Sequence, residues 1–207
     1  MKPFIKGISI FAIAFTFVSA QSGSFNGLVF YHLQHDLEDG GKSQFEFSRV
    51  YLTYTNKLSE NVKYKFQTDV GRHKNSVKLE GAGSDSLSAD LSNSRWLSVY
   101  LKNAKLDWTT SVGVVSIGLQ GMNIFSVQEK TWGHRYLQKS PMDLHKFTSS
   151  ADLGIGFARS ISKDLSTSLL ITNGIGYKSA ENDTYKKFSL QTVWGQKNLS
   201  KKTGYNA

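Results

Sequence analysis

The side chains of this chain best suited to catalysis are its histidines and serines. A histidine next to a serine can activate a nucleophile, and two histidines can share a metal. His32 and His35 stand three positions apart, so they face opposite sides of one strand and are poorly placed for a shared metal. His73, His134 and His145 stand in no known catalytic pattern, since the chain has no Gly-x-Ser-x-Gly elbow and no His-Glu-x-x-His motif. We predict no enzymatic activity, no metal and no cofactor.

Charged side chains recur at alternate positions of extended segments, where they would act through their electric field. The basic members are Arg49, Lys63, Lys65, Arg72, Lys74 and Lys105, and the acidic members are Asp69, Asp107 and Asp152. If these side chains line a water-filled interior, the excess of positive charge concentrates anions and repels cations. The alternative is that each charge is merely solvated or pairs with a neighbour on the next strand.

The longest segment without a strand pattern runs from Met122 to Ser149 and mixes both charges with aromatic side chains. We predict that Glu129, Trp132 and Arg135 contribute to a constriction, because a loop folded into a lumen narrows it and sets a field inside it. The alternative is an external loop that only caps the molecule.

These side chains must be positioned by β-strands, because apolar and polar residues alternate with period two. In Val62–Val70 four polar side chains share one face: Lys63, Lys65, Gln67 and Asp69. In 150–158 four apolar side chains share one face: Ala151, Leu153, Ile155 and Phe157. Such strands lie between apolar and wet surroundings. The apolar face meets a second sheet in a sandwich and lipid in a membrane barrel.

We predict eight strands. They are Phe25–Asp36, Phe45–Asn56, Val62–Val70, Trp96–Trp108, Val112–Gly121, Ser150–Ala158, Leu165–Thr172 and Phe188–Trp194. A change of phase near Leu101 and Lys102 predicts a β-bulge in the fourth strand.

The connections between these strands alternate between short and long. Short ones follow the second, fourth and sixth strands, and long ones rich in Gly, Ser, Asp, Asn and Lys follow the others. This order is typical of an outer-membrane barrel, with tight periplasmic turns and extended external loops. The architecture of a β-sandwich does not require this alternation of short and long connections. We therefore predict an all-β fold, an antiparallel transmembrane β-barrel.

The first twenty residues predict a secretory signal peptide. Lys2 and Lys6 precede an apolar run, and Val18-Ser19-Ala20 places small side chains at the cleavage site. A spanning helix needs about 20 apolar residues, more than this run offers. Residues 1–20 are thus expected to be removed, and 21–207 to form the barrel domain.

Composition narrows the function classes further. The chain has no cysteine and only two prolines, so stability cannot come from disulfides and long strands are favoured. The formal net charge is +9, which includes Lys2 and Lys6. An exported protein is an unsuitable partner for nucleic acid, so the charge indicates an anion-attracting interior or a surface facing lipopolysaccharide.

Two pairs of segments form candidate hairpins: Phe47–Tyr54 with Phe66–Gly71, and Lys102–Trp108 with Ser116–Gly121. They resemble hairpins of bacterial porins related to the phosphate-selective porin O/P group. The second hairpin leads into a long loop, and Ala151–Gly154 then begins the next strand. The resemblance implies a porin that passes small hydrophilic solutes by diffusion.

One departure from that family is the length. Its members are roughly twice as long and end in a strand with a terminal aromatic residue, whereas this sequence ends at Ala207. We therefore expect an N-terminal part of a porin with about 16 strands. A complete eight-stranded barrel closing at Trp194 is the alternative, although its interior would be crowded by the charged inner face.

The sequence leads to three functional hypotheses. The first is a porin of the bacterial outer membrane with a bias toward anions, in contact with lipid and lipopolysaccharide, with a homotrimer as its candidate assembly. The second is a closed eight-stranded barrel with a structural or adhesive role. The third is a small lipid-modifying barrel enzyme.

Overall fold

The computed structural model describes residues 23–35, 43–72, 76–79, 87–90 and 97–195. The predicted signal peptide at 1–20 lies outside the described residues, as do Lys74 and His73. At Arg72 the backbone is described but the side chain is not, and the same holds for 76–79 and 87–90.

Strands dominate the fold, which confirms the all-β prediction. They are β1 Ser24–His35, β2 Ser43–Lys57, β3 Val62–Arg72, β4 Ser76–Leu79, β5 Leu87–Asp90, β6 Leu97–Thr109, β7 Val114–Gly121, β8 Ala151–Ser160, β9 Leu165–Thr172 and β10 Lys187–Trp194. Eight of them form one antiparallel sheet in the order β1-β2-β3-β6-β7-β8-β9-β10. These eight correspond to the predicted segments with ends shifted by a few residues. β4 and β5 form a separate hairpin inside the predicted long loop.

The sheet is open within the described part of the chain. β1 and β10 are its edge strands, and no ladder joins them among the described residues. A barrel closed by eight strands is therefore not seen.

A β-bulge lies in β6 where the change of phase predicts one. Gln67 pairs with Asn103, but the next residue of β3, Thr68, pairs with Leu101, so Lys102 is the extra residue. A bulge re-aims the side chain that it inserts. Lys102 consequently reaches the same side of the sheet as Asp69.

Short and long connections alternate, as predicted. The short turns occupy residues 58–61, 110–113 and 161–164. In each turn a hydroxyl accepts backbone N–H groups: Ser59 from Val62, Thr110 from Gly113 and Ser162 from Leu165. Because neighbouring strands are antiparallel, the three short turns lie at one end of the sheet and the long segments at the other.

The two faces of the sheet differ in polarity and in exposure. On one face Val99, Phe188 and Leu190 are 70%, 69% and 69% exposed. On the other face Asp69 and Asp152 are only 5% and 2% exposed. A sheet that folds around an apolar core shows the reverse distribution. The described chain thus buries polar side chains and leaves apolar ones uncovered.

The segment between β7 and β8 folds back over the polar face. It contains α1, Asn123–Trp132, and α2, Pro141–Leu144, where the sequence predicts only a loop. Gly133 ends α1 with a left-handed φ of 69°, and its N–H donates to the Glu129 carbonyl. Phe125 packs with Met122 and with Leu170 of β9 in a small buried cluster. No helix in the described ranges is long and apolar enough to span a bilayer.

Candidate functional site

A cavity of about 730 Å³ lies between α1 and the polar face of the sheet. Seven charged residues line it, and six of them are cationic. The cations are Arg49, Lys65, Lys102, Lys105, Lys130 and Arg159, and the carboxylate is that of Glu129. The cavity therefore carries a positive potential that favours negatively charged solutes.

Lys102, placed by the bulge, is largely enclosed, with 12% of its side chain exposed. Its ammonium lies 3.8 Å from an Asp69 carboxylate oxygen and donates to the Ser150 hydroxyl at 3.2 Å. It also lies 5.4 Å and 5.1 Å from the ring centres of Tyr51 and Tyr177. These contacts connect β2, β3, β6 and the segment after β9, so Lys102 acts as a structural cation.

Asp69 is the carboxylate that compensates Lys102. Its oxygens accept the backbone N–H of Val70 at 2.9 Å and the Tyr100 hydroxyl at 3.2 Å. The Val50 N–H lies 3.4 Å away on β2. These donors offset the cost of removing the Asp69 carboxylate from water.

The segment 173–186 reaches the same cluster through Tyr177. The Tyr177 N–H donates to the Ala151 carbonyl at 3.1 Å, and its ring centre lies 6.0 Å from that of Tyr100. Burial raises the pKa of the Tyr177 hydroxyl, so it stays protonated and neutral. Asp152 fixes the start of this segment, because its carboxylate accepts the Gly174 N–H at 2.6 Å.

Arg135 joins the two helices that lie over the polar face. Its guanidinium lies 2.6 Å from the Asp143 carboxylate in α2 and 3.2 Å from that of Glu129 in α1. All three side chains are at most one-third exposed. Trp132 instead bonds within its own segment, where its indole N–H donates to the Gln138 carbonyl at 3.1 Å.

Asn123 anchors α1 to the sheet. Its amide nitrogen donates to the Ser189 carbonyl at 2.9 Å and lies 3.2 Å from the carbonyl and the hydroxyl of Ser168. Its amide oxygen accepts the Ser189 hydroxyl at 2.7 Å. The first residue of the helix is thereby held to both β9 and β10.

We expect Asn123→Ala to release α1 from the sheet. The change leaves the buried Ser189 hydroxyl and carbonyl without this partner, which costs about 1–3 kcal/mol. Amide hydrogen exchange across Asn123–Trp132 should accelerate accordingly. Ser126→Ala is the matched control, since the Ser126 hydroxyl donates only to the Asn123 carbonyl of its own helix. Equal exchange in the two variants would contradict the anchoring role.

Lys65 and Lys105 lie directly opposite each other on β3 and β6. The Lys105 ammonium is 2.8 Å from the Asp107 carboxylate, which also accepts the Ser116 hydroxyl at 2.5 Å. No carboxylate of the described residues lies within 4 Å of the Lys65 ammonium. Arg49 likewise has no ion pair there and stacks on Tyr51. Lys65 and Arg49 therefore line the cavity without an ion pair among the described residues, as do Lys130 and Arg159.

The structure separates the predicted site residues into three groups. Those that line the cavity are Arg49, Lys65, Lys105 and Glu129. Those engaged in bonds around it are Asp69, Asp107, Asp152, Trp132 and Arg135. Lys63 is exposed on the same strand as Lys65, and the side chain of Arg72 lies outside the described part. That these residues line a pore stays a prediction.

Several residues of the site are absent from the sequence-based prediction, among them Lys102, Tyr100, Tyr177, Asn123 and Arg159. Of these, only Lys102 is indicated by the sequence, through the change of strand phase that predicts the bulge. Tyr177 and Asn123 lie in segments without periodicity, so nothing in the sequence indicates that they return to the sheet.

The fold and the cavity define an all-β protein with one antiparallel sheet that is polar and partly covered on one side and apolar and exposed on the other. Comparisons with protein-family models, with curated proteins and with solved structures find no match to this chain.

Proposed function

We propose that this protein is an outer-membrane porin whose sheet forms part of the wall of a water-filled β-barrel. The observation that carries the proposal is the inverted polarity of the sheet. Leu153 and Ile155 are 52% and 54% exposed, whereas their neighbour Asp152 is 2% exposed. Lipid would cover the exposed apolar face, and water would fill the polar side.

The longer strands of the sheet support a membrane wall. A tilted strand crosses a bilayer with about 9–11 residues. β3, β6 and β8 reach this length with 11, 13 and 10 residues, whereas β7, β9 and β10 have 8 each. Closure would require further pairing at the β1 and β10 edges, through strands outside the described residues. The short turns would then face the periplasm and the long segments the exterior.

The charge of the cavity supports a bias toward anions. Six of its seven charged lining residues are cationic, and Lys65 and Arg49 have no ion pair among the described residues. α1 and α2 would form the constriction, because they lie on the polar side and are linked by Arg135. Solutes passing α1 would meet this positive wall at short range.

We expect the purified full-length protein to produce stepwise ion conductance in planar lipid bilayers. Under a potassium chloride gradient, the sign of the reversal potential should indicate preference for chloride. Heat-denatured protein at the same concentration is the control. A folded protein that inserts without conducting would contradict the porin and favour the structural or adhesive barrel.

A further inference from the structure

The cavity between α1 and the sheet has features of a binding site rather than of a plain water channel. Its volume of about 730 Å³ falls within the range of about 300–1,000 Å³ that is typical of small-molecule sites. An inorganic anion would fill only a small part of this space. The volume of the cavity therefore suits a solute that is larger than an inorganic anion.

Two of the cations that line the cavity, Lys65 and Lys105, lie side by side on neighbouring strands. Like charges directly opposite each other on neighbouring strands are destabilising, and Asp107 compensates only the Lys105 ammonium. An anionic group beside both ammonium groups would relieve this repulsion. The anion would stabilise the Lys65 ammonium most, because Lys65 has no ion pair among the described residues.

Neutral hydrogen-bonding groups lie beside these two lysines. Two residues along β3 and β6, the amides of Gln67 and Asn103 line the cavity on cross-strand partners, and the Ser116 hydroxyl lines it on β7. The Asn103 amide oxygen accepts no hydrogen bond from the described residues. Amides and hydroxyls in such a row suit the hydroxyl groups of a polyol better than an apolar body.

We propose that this cavity binds small organic anions with a hydroxylated body, with the anionic group at Lys65 and Lys105 and the hydroxyls toward Gln67 and Asn103. Sugar acids and sugar phosphates share this chemistry. The inference rests on the proposed porin function and names the solute class that its constriction would select.

The test is the block of chloride current through the full-length protein in planar bilayers by added gluconate or glucose 6-phosphate. Both should reduce the current in a saturable way, whereas glucose and inorganic phosphate should need concentrations at least about tenfold higher, since each lacks one half of the recognised chemistry. Block by glucose 6-phosphate alone would restrict the site to phosphate esters and overturn the shared class.

Lys65→Met should raise the half-blocking concentration of gluconate about tenfold or more, the effect of losing a hydrogen bond to a charged group. Lys63→Met is the matched control, because Lys63 lies two residues away on the same strand, is exposed and does not line the cavity. Its half-blocking concentration should change less than about twofold.

The failures of the two proposals are distinguishable. Normal conductance without gluconate block would overturn the binding site and leave the porin intact. Equal block by phosphate and gluconate would reduce the site to a point charge and overturn the polyol contacts. If no conductance appears, calorimetric titration of the detergent-solubilised protein with gluconate still decides the binding site, since absence of heat in both wild type and Lys65→Met would overturn it.

Discussion

Leu190→Arg is expected to lower the free energy of unfolding in lipid vesicles by about 2–4 kcal/mol, the cost of a cation near the middle of the bilayer on the lipid-facing side of a barrel. Leu190 lies in the middle of β10, is 69% exposed and pairs with Leu169 on the same apolar face. The measurement is a urea titration of the protein folded in phosphatidylcholine vesicles.

Gln191→Arg is the matched control for this variant. Gln191 is the next residue of the same strand, but it lines the polar cavity, where water can solvate a guanidinium. Its folding free energy should therefore stay close to that of the wild type. If both variants were as stable as the wild type, the Leu190 face would not meet lipid, and the membrane proposal would lose its main support.

Lys102→Met is expected to destabilise the protein by about 3 kcal/mol. The change leaves the Asp69 carboxylate buried without its cation, and breaking a buried pair from one side costs about 3–5 kcal/mol. We expect a loss of stability at the lower end of this range because the N–H of Val70 and the hydroxyl of Tyr100 continue to donate to Asp69. Chemical denaturation of the variant and the wild type in the same detergent measures the difference.

The double variant Lys102→Met with Asp69→Asn separates charge from packing. With both charges removed, no uncompensated carboxylate remains, so most of the lost stability should return. A double variant that is less stable than Lys102→Met would show that the side-chain contacts of Lys102 with Tyr51 and Tyr177, rather than its charge, hold the cluster together.

The strands follow from the sequence because their signal is local. Alternation of Lys63, Lys65 and Gln67 with apolar residues predicts β3, and the break of phase at Lys102 predicts the bulge. The order of short and long connections is equally visible. Each of these signals depends only on residues close together in the chain, where the geometry of a strand fixes which side chains share a face.

The covering of the polar face is a tertiary result. α1 has no strong periodicity, and it is held by Phe125 against Leu170 and by the bonds of Asn123 to Ser168 and Ser189. A helix this short gains most of its stability from such packing. Partners 45 and 66 positions away cannot be read from the local pattern.

The sequence and the tertiary structure each determine a different part of the arrangement of the charged side chains. By itself, the sequence determined that basic residues such as Lys65 and Lys105 share the polar side of neighbouring strands, because strand periodicity is a local property. Only the tertiary structure decided which of them are compensated: Asp107 holds Lys105, and Asp69 holds Lys102. That distinction depends on register and on a bulge, since a shift of one residue would change every cross-strand partner.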